Sequence, residues 1–256
     1  MGDERQREKA ERFRALHTGP TFVIPNPWDV GSAKDLERLG YEALATTSSG
    51  FAHTLGLADG EVSLEQLADH AAALHAATEL PVSVDMENGF GPRAEDAAGA
   101  VARIAAAGAV GGSIEDWDRD DERLYEIDHA LERIMAAVEA ARALDFPFTL
   151  TARAENHIRD NPDLDDTIAR LRAYERAGAD VIYAPGLTVE QVAALRAETS
   201  APINVLAHPS MTVDAVAEAG GQRISVGGSL AWVGFRAAEA AAKSIRETGD
   251  LSSLGS

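Results

Sequence analysis

Short apolar runs alternate with longer amphipathic stretches from one end of the chain to the other. Residues 21–25, 43–47, 81–85, 112–114, 148–152, 181–184, 203–206 and 224–226 are compact and rich in β-branched or aliphatic side chains, which predicts eight strands. Between them, residues 29–39, 63–78, 94–107, 127–144, 164–177, 188–198, 212–219 and 231–247 are patterned as amphipathic helices. The punctuation agrees. Asp29 stands at a capping position, Ser63 with Gln66 reads as a capping box, and Gly40, Gly108, Gly178 and Gly220 follow helix ends. A highly charged amphipathic helix is expected over residues 3–17, and a disordered tail over 251–256.

Unbroken alternation of strand and helix implies a parallel sheet covered by helices. Eight units in about 250 residues match a (β/α)8 TIM barrel, so the fold class is α/β with the barrel as the expected architecture. An open doubly wound sheet is the rival. No linker or shift in composition divides the chain, so residues 1–256 are expected to form one barrel domain.

Charge and composition narrow the function. With 23 Lys+Arg against 42 Asp+Glu, the formal net charge is −19. Such a chain repels phosphate backbones and anionic membranes, so neither nucleic acid nor membrane is expected as a partner. No apolar run approaches the ~18 residues of a membrane span. The charged opening MGDERQREKAERFR is no signal peptide, and the cytoplasm is the expected location. The absence of cysteine excludes disulfides, thiolate metal sites and a cysteine nucleophile.

In a barrel the active site lies at the C-terminal ends of the strands, so the residues just past each strand are the candidates. Asp85, Glu87 and Glu115 stand there on neighbouring strands. Residues two apart in an extended chain share a face, which would place Asp85 beside Glu87, with Glu115 about 5 Å away on the next strand. Clustered carboxylates repel unless a cation or proton intervenes. Oxygen donors without sulfur suit Mg²⁺, or Mn²⁺, held largely through water; solvated loop charge is the bland alternative. Arg153 ends the fifth strand and is suited to hold a substrate carboxylate or a developing oxyanion. A structural ion pair with Glu115 or Glu155 is its alternative. Asn26, Trp28, Ser49, Gly50, Asp59, Asn204 and His208 also fall on the functional side.

Other chemistries find no residues. The three lysines, Lys9, Lys34 and Lys243, all lie in helical stretches, so a Schiff-base mechanism has no lysine to use. Gly89-Phe-Gly91-Pro-Arg-Ala94 matches a dinucleotide fingerprint in outline. Asp85 and Glu87 would crowd a pyrophosphate there, and Pro92 removes a backbone donor. Gly227-Gly-Ser229 offers backbone N–H groups to a phosphate or carboxylate, or else simple close packing.

Pro25-Asn-Pro-Trp-Asp29, Thr47-Ser-Ser-Gly50, Leu55-Gly-Leu-Ala-Asp59-Gly60, Val84-Asp-Met-Glu-Asn-Gly-Phe-Gly91, Ser113-Ile-Glu-Asp116 and Thr151-Ala-Arg153 follow in the order seen in the isocitrate lyase/phosphoenolpyruvate mutase superfamily, which the chain resembles over about residues 20–235. The resemblance implies a (β/α)8 barrel whose last helix is swapped between subunits of a homodimer or homotetramer. It implies Mg²⁺ and a small carboxylate substrate. It makes Asp85 the direct metal ligand, with Glu87, Glu115 and Asp59 around the metal's waters. It sets Arg153 against the substrate, with Ser49 and Gly50 as substrate contacts, partly through backbone N–H groups; Trp28 and Asn204 are further substrate-binding candidates.

The departures restrict the reaction. Glu87 stands where many members have Asp. The loop after the fourth strand reads Asp116-Trp-Asp-Arg-Asp-Asp-Glu-Arg-Leu-Tyr125, without the Lys-Cys-Gly-His type motif of isocitrate and methylisocitrate lyases, and without the Lys and Asn of phosphonopyruvate enzymes. The expected function is a Mg²⁺-dependent lyase that breaks a C–C bond of a 2-oxo or 2-hydroxy acid, by decarboxylation or retro-aldol cleavage through a metal-stabilised enolate. Arg153, Glu115 and Asp59 are its catalytic candidates; Tyr125, Arg119, Arg123 and His157 are candidates for the later proton. The alternatives are P–C chemistry, with a loop Arg in place of the missing Lys, or a repurposed barrel that only binds a metabolite.

Overall fold

A computed structural model of the chain describes residues 3–254. Eight parallel strands, β1 (Phe22–Ile24), β2 (Leu44–Ala45), β3 (Val82–Asp85), β4 (Gly111–Glu115), β7 (Thr149–Arg153), β8 (Val181–Tyr183), β9 (Ile203–Leu206) and β10 (Arg223–Ser225), form one sheet. The order β1-β10-β9-β8-β7-β4-β3-β2 carries each strand to the next and brings β2 back towards β1. Here the Ala45 N–H donates to the Pro25 carbonyl at 3.1 Å, and Asn26 Nδ2 to the Thr46 carbonyl at 2.9 Å. These two bonds draw the sheet into a nearly closed (β/α)8 barrel, and the open doubly wound alternative is set aside.

The helices α2 (Val30–Arg38), α4 (Leu64–Ala77), α5 (Ala94–Ala106), α6 (Ile127–Arg142), α7 (Leu164–Arg176), α8 (Val189–Glu198) and α9 (Val213–Glu218) surround the strands. Asp29 accepts from the Ser32 N–H at 2.7 Å and Ser63 from the Gln66 N–H at 3.3 Å, the two caps marked in the sequence. Alanines fill the inner faces of α5 and α6, where Ala97, Ala100 and Ala137 are fully buried. Small side chains there allow the close approach that an aromatic-poor core requires.

Helix α1 (Glu4–Leu16) closes the N-terminal end of the barrel. Its Phe13 lies against Gly111, where an added Cβ would come within 2.8 Å of the ring. Lys9 is fully buried and donates to the Thr78 and His75 carbonyls at 2.7 and 2.9 Å. These carbonyls precede β3, so Lys9 lies at the end of the barrel opposite the strand C-termini.

Four local differences from the sequence reading follow from short-range geometry. Strand β2 is only two residues long, because Thr47 leaves the ladder to cap α3 (Ser48–Thr54), a helix the alternation pattern does not reveal. The loop after β4 folds into an antiparallel hairpin, β5 (Trp117–Asp118) with β6 (Arg123–Leu124). Helix α10 (Ser229–Thr248) starts two residues early and stands off its own barrel, with Ala231 its one buried residue among those described. Within the tail expected to be disordered, Ser252–Leu254 make one 3-10 turn; residues 255 and 256 lie outside the described residues.

Candidate active site

At the C-terminal mouth of the barrel the carboxylates and guanidinium groups meet. Asp85 ends β3, and its N–H donates to Thr46 Oγ1 at 2.9 Å. Its Oδ1 accepts from Ser113 Oγ at 3.3 Å and from the Glu87 N–H at 3.2 Å, which leaves Oδ2 turned to Arg153 Nη1 at 3.6 Å. The chain then departs from the strand. Glu87 takes a positive φ of 51°. Strand alternation therefore does not carry Asp85 and Glu87 to one face; a tight turn does the work, and the Glu87 carbonyl accepts from the Glu115 N–H at 2.9 Å.

Glu115 is 3% exposed at the end of β4. Its Oε2 lies 3.3 Å from Arg153 Nη1, while Oε1 has no hydrogen-bond partner among the described residues and faces Arg119 at 3.8 Å. Arg153 also donates Nε to Glu155, whose other oxygen accepts from Arg159 at 3.2 Å. Arg153 is thus ion-paired with Glu115 and Glu155, and it also lines the cavity.

The electrostatics follow from burial. Burial raises the Glu115 carboxyl well above the usual range, against the pull of Arg153 and with Glu155 and Asp85 adding to the rise. Burial likewise lifts Glu87 to about 7, partly offset by Arg119, which pairs with it at 2.7 Å. Burial works against the Arg153 charge too, but Glu155, Glu115 and Asp85 outweigh it, and its pKa lies well above the ordinary value. The guanidinium is a fixed cation.

A cavity of about 210 Å³ opens from this cluster into the barrel. That is room for a small acid, below the ~300 Å³ of the smallest drug-sized pockets. Asp59, Asp85, Arg153, Ser49 and Asn204 line it. Glu115 stands behind Arg153, and Glu87 beneath Arg119. Trp28 and Gly50 do not line it. Trp28 packs on Phe235 with ring centroids 5.8 Å apart. The Gly50 N–H already donates to Thr47 Oγ1 at 3.3 Å, and a Cβ there would meet Ala231 at 3.0 Å. Gly50 is a packing glycine under α10.

Gly227 and Gly228 line the cavity, but two N–H groups of this loop are already committed. The Gly227 N–H donates to Asn26 Oδ1 at 3.0 Å, and the Ser229 N–H to the Val226 carbonyl at 3.1 Å. In the fingerprint-like turn, a Cβ on Gly89 would meet Ala97 Cα at 3.0 Å, and the Gly91 carbonyl accepts from Arg133 at 2.8 Å. That turn serves helix packing.

The sequence marks Arg119 only as a candidate for the later proton, and it does not mark Arg159, Tyr183, Ser113 or Arg223 as site residues. Arg119 arrives on the hairpin, passing over Gly60, whose φ of +94° and lack of a side chain leave it room. Arg159 follows the 3-10 turn Asn156–Ile158, and stacks over the Trp117 ring at 4.5 Å. Ser113 lines the cavity from inside β4, Tyr183 from the last residue of β8 and Arg223 from the first residue of β10. Of the four candidates for a late proton, only Arg119 is brought to the carboxylates among the described residues. Arg123 is exposed and pairs with Asp121, Tyr125 lies under Arg133, and His157 packs on Gly186.

The donor set suits a hard divalent ion. It consists of carboxylate oxygens, one of them (Glu115 Oε1) buried without a hydrogen-bond partner, and burial pushes two of the carboxyls towards protonation, a cost that a bound cation would relieve. No three acidic or imidazole groups among the described residues close around one point. Such a site suits an ion that keeps most of its waters, as Mg²⁺ does.

Comparison with known proteins agrees with this geometry. The profile of the phosphoenolpyruvate phosphomutase family matches residues 13–246. A solved structure of a Burkholderia cenocepacia J2315 protein, carrying only the provisional designation lyase/mutase, is 49% identical with a TM-score of 0.95, over 98% of this chain and 92% of that one. The oxaloacetate decarboxylase of Bradyrhizobium sp. BTAi1 is 30% identical over 71% of this chain and 65% of its own length. Oxaloacetate acetylhydrolase, solved with its product oxalate, is 26% identical with a TM-score of 0.86, over 97% of this chain and 90% of that one. The chain spans a little under two thirds of the length of the curated relatives it matches. The family profile, matched from the last turns of α1 to the end of α10, establishes that this chain belongs to the phosphoenolpyruvate phosphomutase family, within the isocitrate lyase/phosphoenolpyruvate mutase superfamily.

Proposed function

We propose that the protein is a magnesium-dependent lyase that cleaves a C–C bond of a small 2-oxo or 2-hydroxy carboxylic acid. One observation carries this reading: Arg153, a permanent cation, lines a small polar cavity within 3.6 Å of Asp85 and 3.3 Å of Glu115. Asp85 would hold the ion directly, with Asp59, Glu87 and Glu115 around its waters. A bound Mg²⁺ would act as a Lewis acid towards the carboxylate and keto or hydroxyl oxygens of the substrate.

The chain's own residues supply the rest. Ser49 and Asn204 orient the acid within the cavity. When the C–C bond breaks, its electron pair moves towards the former carbonyl oxygen, and Arg153 faces the charge that develops there. Glu155 and Glu115 hold the guanidinium in place. Decarboxylation requires no base for the bond-breaking step, which suits a site without lysine or cysteine. The names of oxaloacetate decarboxylase and oxaloacetate acetylhydrolase among the relatives support C–C cleavage of a small oxo acid.

P–C chemistry is the second reading. Arg119 favours it, because the hairpin carries this cation to Glu87 and Glu115 from a loop that lacks the lysine of phosphonopyruvate enzymes. The test is a panel of 2-oxo and 2-hydroxy di- and tricarboxylates plus phosphonopyruvate, with Mg²⁺. Release of pyruvate or glyoxylate from a carboxylic acid supports the lyase. Release of phosphate from phosphonopyruvate alone overturns it in favour of P–C cleavage.

We also propose a homo-oligomer joined through α10. Leu230 and Val233 on this helix are exposed at 37% and 67%, and only Ala231 is buried against the helix's own barrel among the described residues. An unpartnered apolar face of this kind is suited to a second copy.

A further inference from the structure

Below the acidic mouth the cavity holds a second guanidinium with a different environment. Arg223 is the first residue of β10 and is 5% exposed. Its Nε donates to Asn204 Oδ1 at 2.8 Å and its Nη2 to Thr151 Oγ1 at 2.9 Å. Thr151 sits on β7, with β8 and β9 between it and β10. The side chain therefore crosses the barrel lumen to reach it. Nη1 faces His17 Nε2 at 3.3 Å. The His17 Nδ1–H donates to the Phe13 carbonyl at 2.8 Å, which leaves Nε2 as an acceptor.

All three partners are neutral. Among the described residues no carboxylate forms an ion pair with Arg223, whereas Arg153 above it has three. Burial unanswered by an acid draws the Arg223 pKa down to about 10, which still leaves it charged at neutral pH. A buried charge whose partners are all neutral is held at a penalty. The wall beside it continues the same polarity: Asn204 Nδ2 donates to Ser225 Oγ at 3.0 Å, and both residues line the cavity with Arg223. Three of the five guanidinium N–H groups are committed to these contacts, so donors remain for an occupant.

We propose that the lumen is an anion subsite in which Arg223 receives a carboxylate-sized anion, either the far carboxylate of the bound acid or a free small anion. Arg223 is then a positioning and specificity residue: it selects acids with a second carboxylate at the end away from Arg153. The dicarboxylate preference rests on the acid-lyase reading above; the anion subsite itself does not. The competing role is purely structural, with Arg223 only tying β7, β9 and α1 together.

Equilibrium binding separates these possibilities without requiring turnover. Succinate and butyrate, each with four carbons, are titrated into wild type, R223Q, R223K and T151V by calorimetry with Mg²⁺ present. A charge-assisted contact predicts that wild type prefers succinate by about 10-fold or more, that R223K keeps part of this, and that R223Q brings the ratio near one. T151V loses one tie but not the charge, and it should keep the ratio within about two-fold. R223Q that folds with an unchanged ratio overturns the dicarboxylate preference, as does T151V collapsing the ratio equally.

Wild-type crystals soaked in bromide provide the arm that no failed variant can remove. An anomalous peak beside Arg223, displaced by succinate, supports the substrate carboxylate as occupant. A peak that succinate does not displace supports a free-anion site and overturns the dicarboxylate preference. No peak and no succinate preference overturn the subsite. A chain that passes these binding tests but releases nothing from the substrate panel would keep the subsite and lose the lyase.

Discussion

Arg153 faces the cavity and also holds the buried Glu155 and Glu115, so its removal should lower both rate and stability. For R153A we expect kcat on the assigned substrate to fall by about 100-fold or more, the range seen when one oxyanion donor is lost. R153K, which keeps the charge beside Glu155 and Glu115, should recover part of the rate and most of the stability, read by circular dichroism melting; an unchanged kcat in R153A would remove Arg153 from the chemistry. Gly60 is the second residue to test. Its φ is +94° and Arg119 occupies the space a Cβ would take. G60A should displace Arg119 and lower kcat without abolishing folding, and steady-state kinetics beside a melting curve would show it. The sequence made Asp85, Glu115 and Arg153 legible because they end strands, where a barrel gathers its chemistry. Arg223 opens β10, at the end opposite the strand C-termini, and its inward direction depends on barrel closure, which no local pattern encodes. Trp28 and Gly50 look functional beside a motif, yet their neighbours on α10 turn them into packing residues.

Between elements, Asp116 does the joining. It is buried at the end of β4, where Oδ1 accepts from the Glu155 N–H at 2.9 Å and Oδ2 from Tyr174 at 2.7 Å and Arg170 at 3.2 Å. It thereby fixes the segment that carries Glu155 against α7. Removing one partner of a buried ion pair commonly costs about 3–5 kcal/mol. D116A should lower unfolding free energy by that order, read from denaturant midpoints at constant slope; a change below about 0.5 kcal/mol, as for an ordinary surface site, would contradict this. The strand–helix beat was legible at this scale because each strand is a compact apolar run. Helix α3 was not, since Ser48–Thr54 is short and carries no apolar stripe. The hairpin was not, since its strands are two residues each and rest on the pairing of Trp117 with Leu124 and Asp118 with Arg123.

For the whole molecule, pH and assembly give global readouts. Burial lowers the His17 pKa from 6.5 to about 3, with Arg223 adding to the effect. The unfolded chain takes up this proton as pH falls through 6.5, while the folded chain refuses it until about 3. The His17 contribution is therefore neutral at pH 8, and by pH 5 it destabilises by about 2 kcal/mol. H17Q lacks this titration, so the stability difference between wild type and H17Q should shift against wild type by that amount between pH 8 and 5. A pH-independent difference would contradict the neutral, buried imidazole. Assembly is tested by sedimentation: wild type should run as a dimer or tetramer, and the double variant L230E/V233E as a monomer. A monomeric wild type would contradict assembly through α10. No helix among the described residues is long and apolar enough to cross a membrane. The central claim is that Asp85 anchors a magnesium ion required for C–C cleavage of a small acid. The most direct measurement is the rate of pyruvate or glyoxylate release from the best acid of the panel, for wild type and D85A, with Mg²⁺ and with EDTA. We expect release by wild type that EDTA abolishes and Mg²⁺ restores, and a loss of about 100-fold or more in D85A at every Mg²⁺ concentration. Release that survives EDTA, or D85A turning over at the wild-type rate, would contradict it.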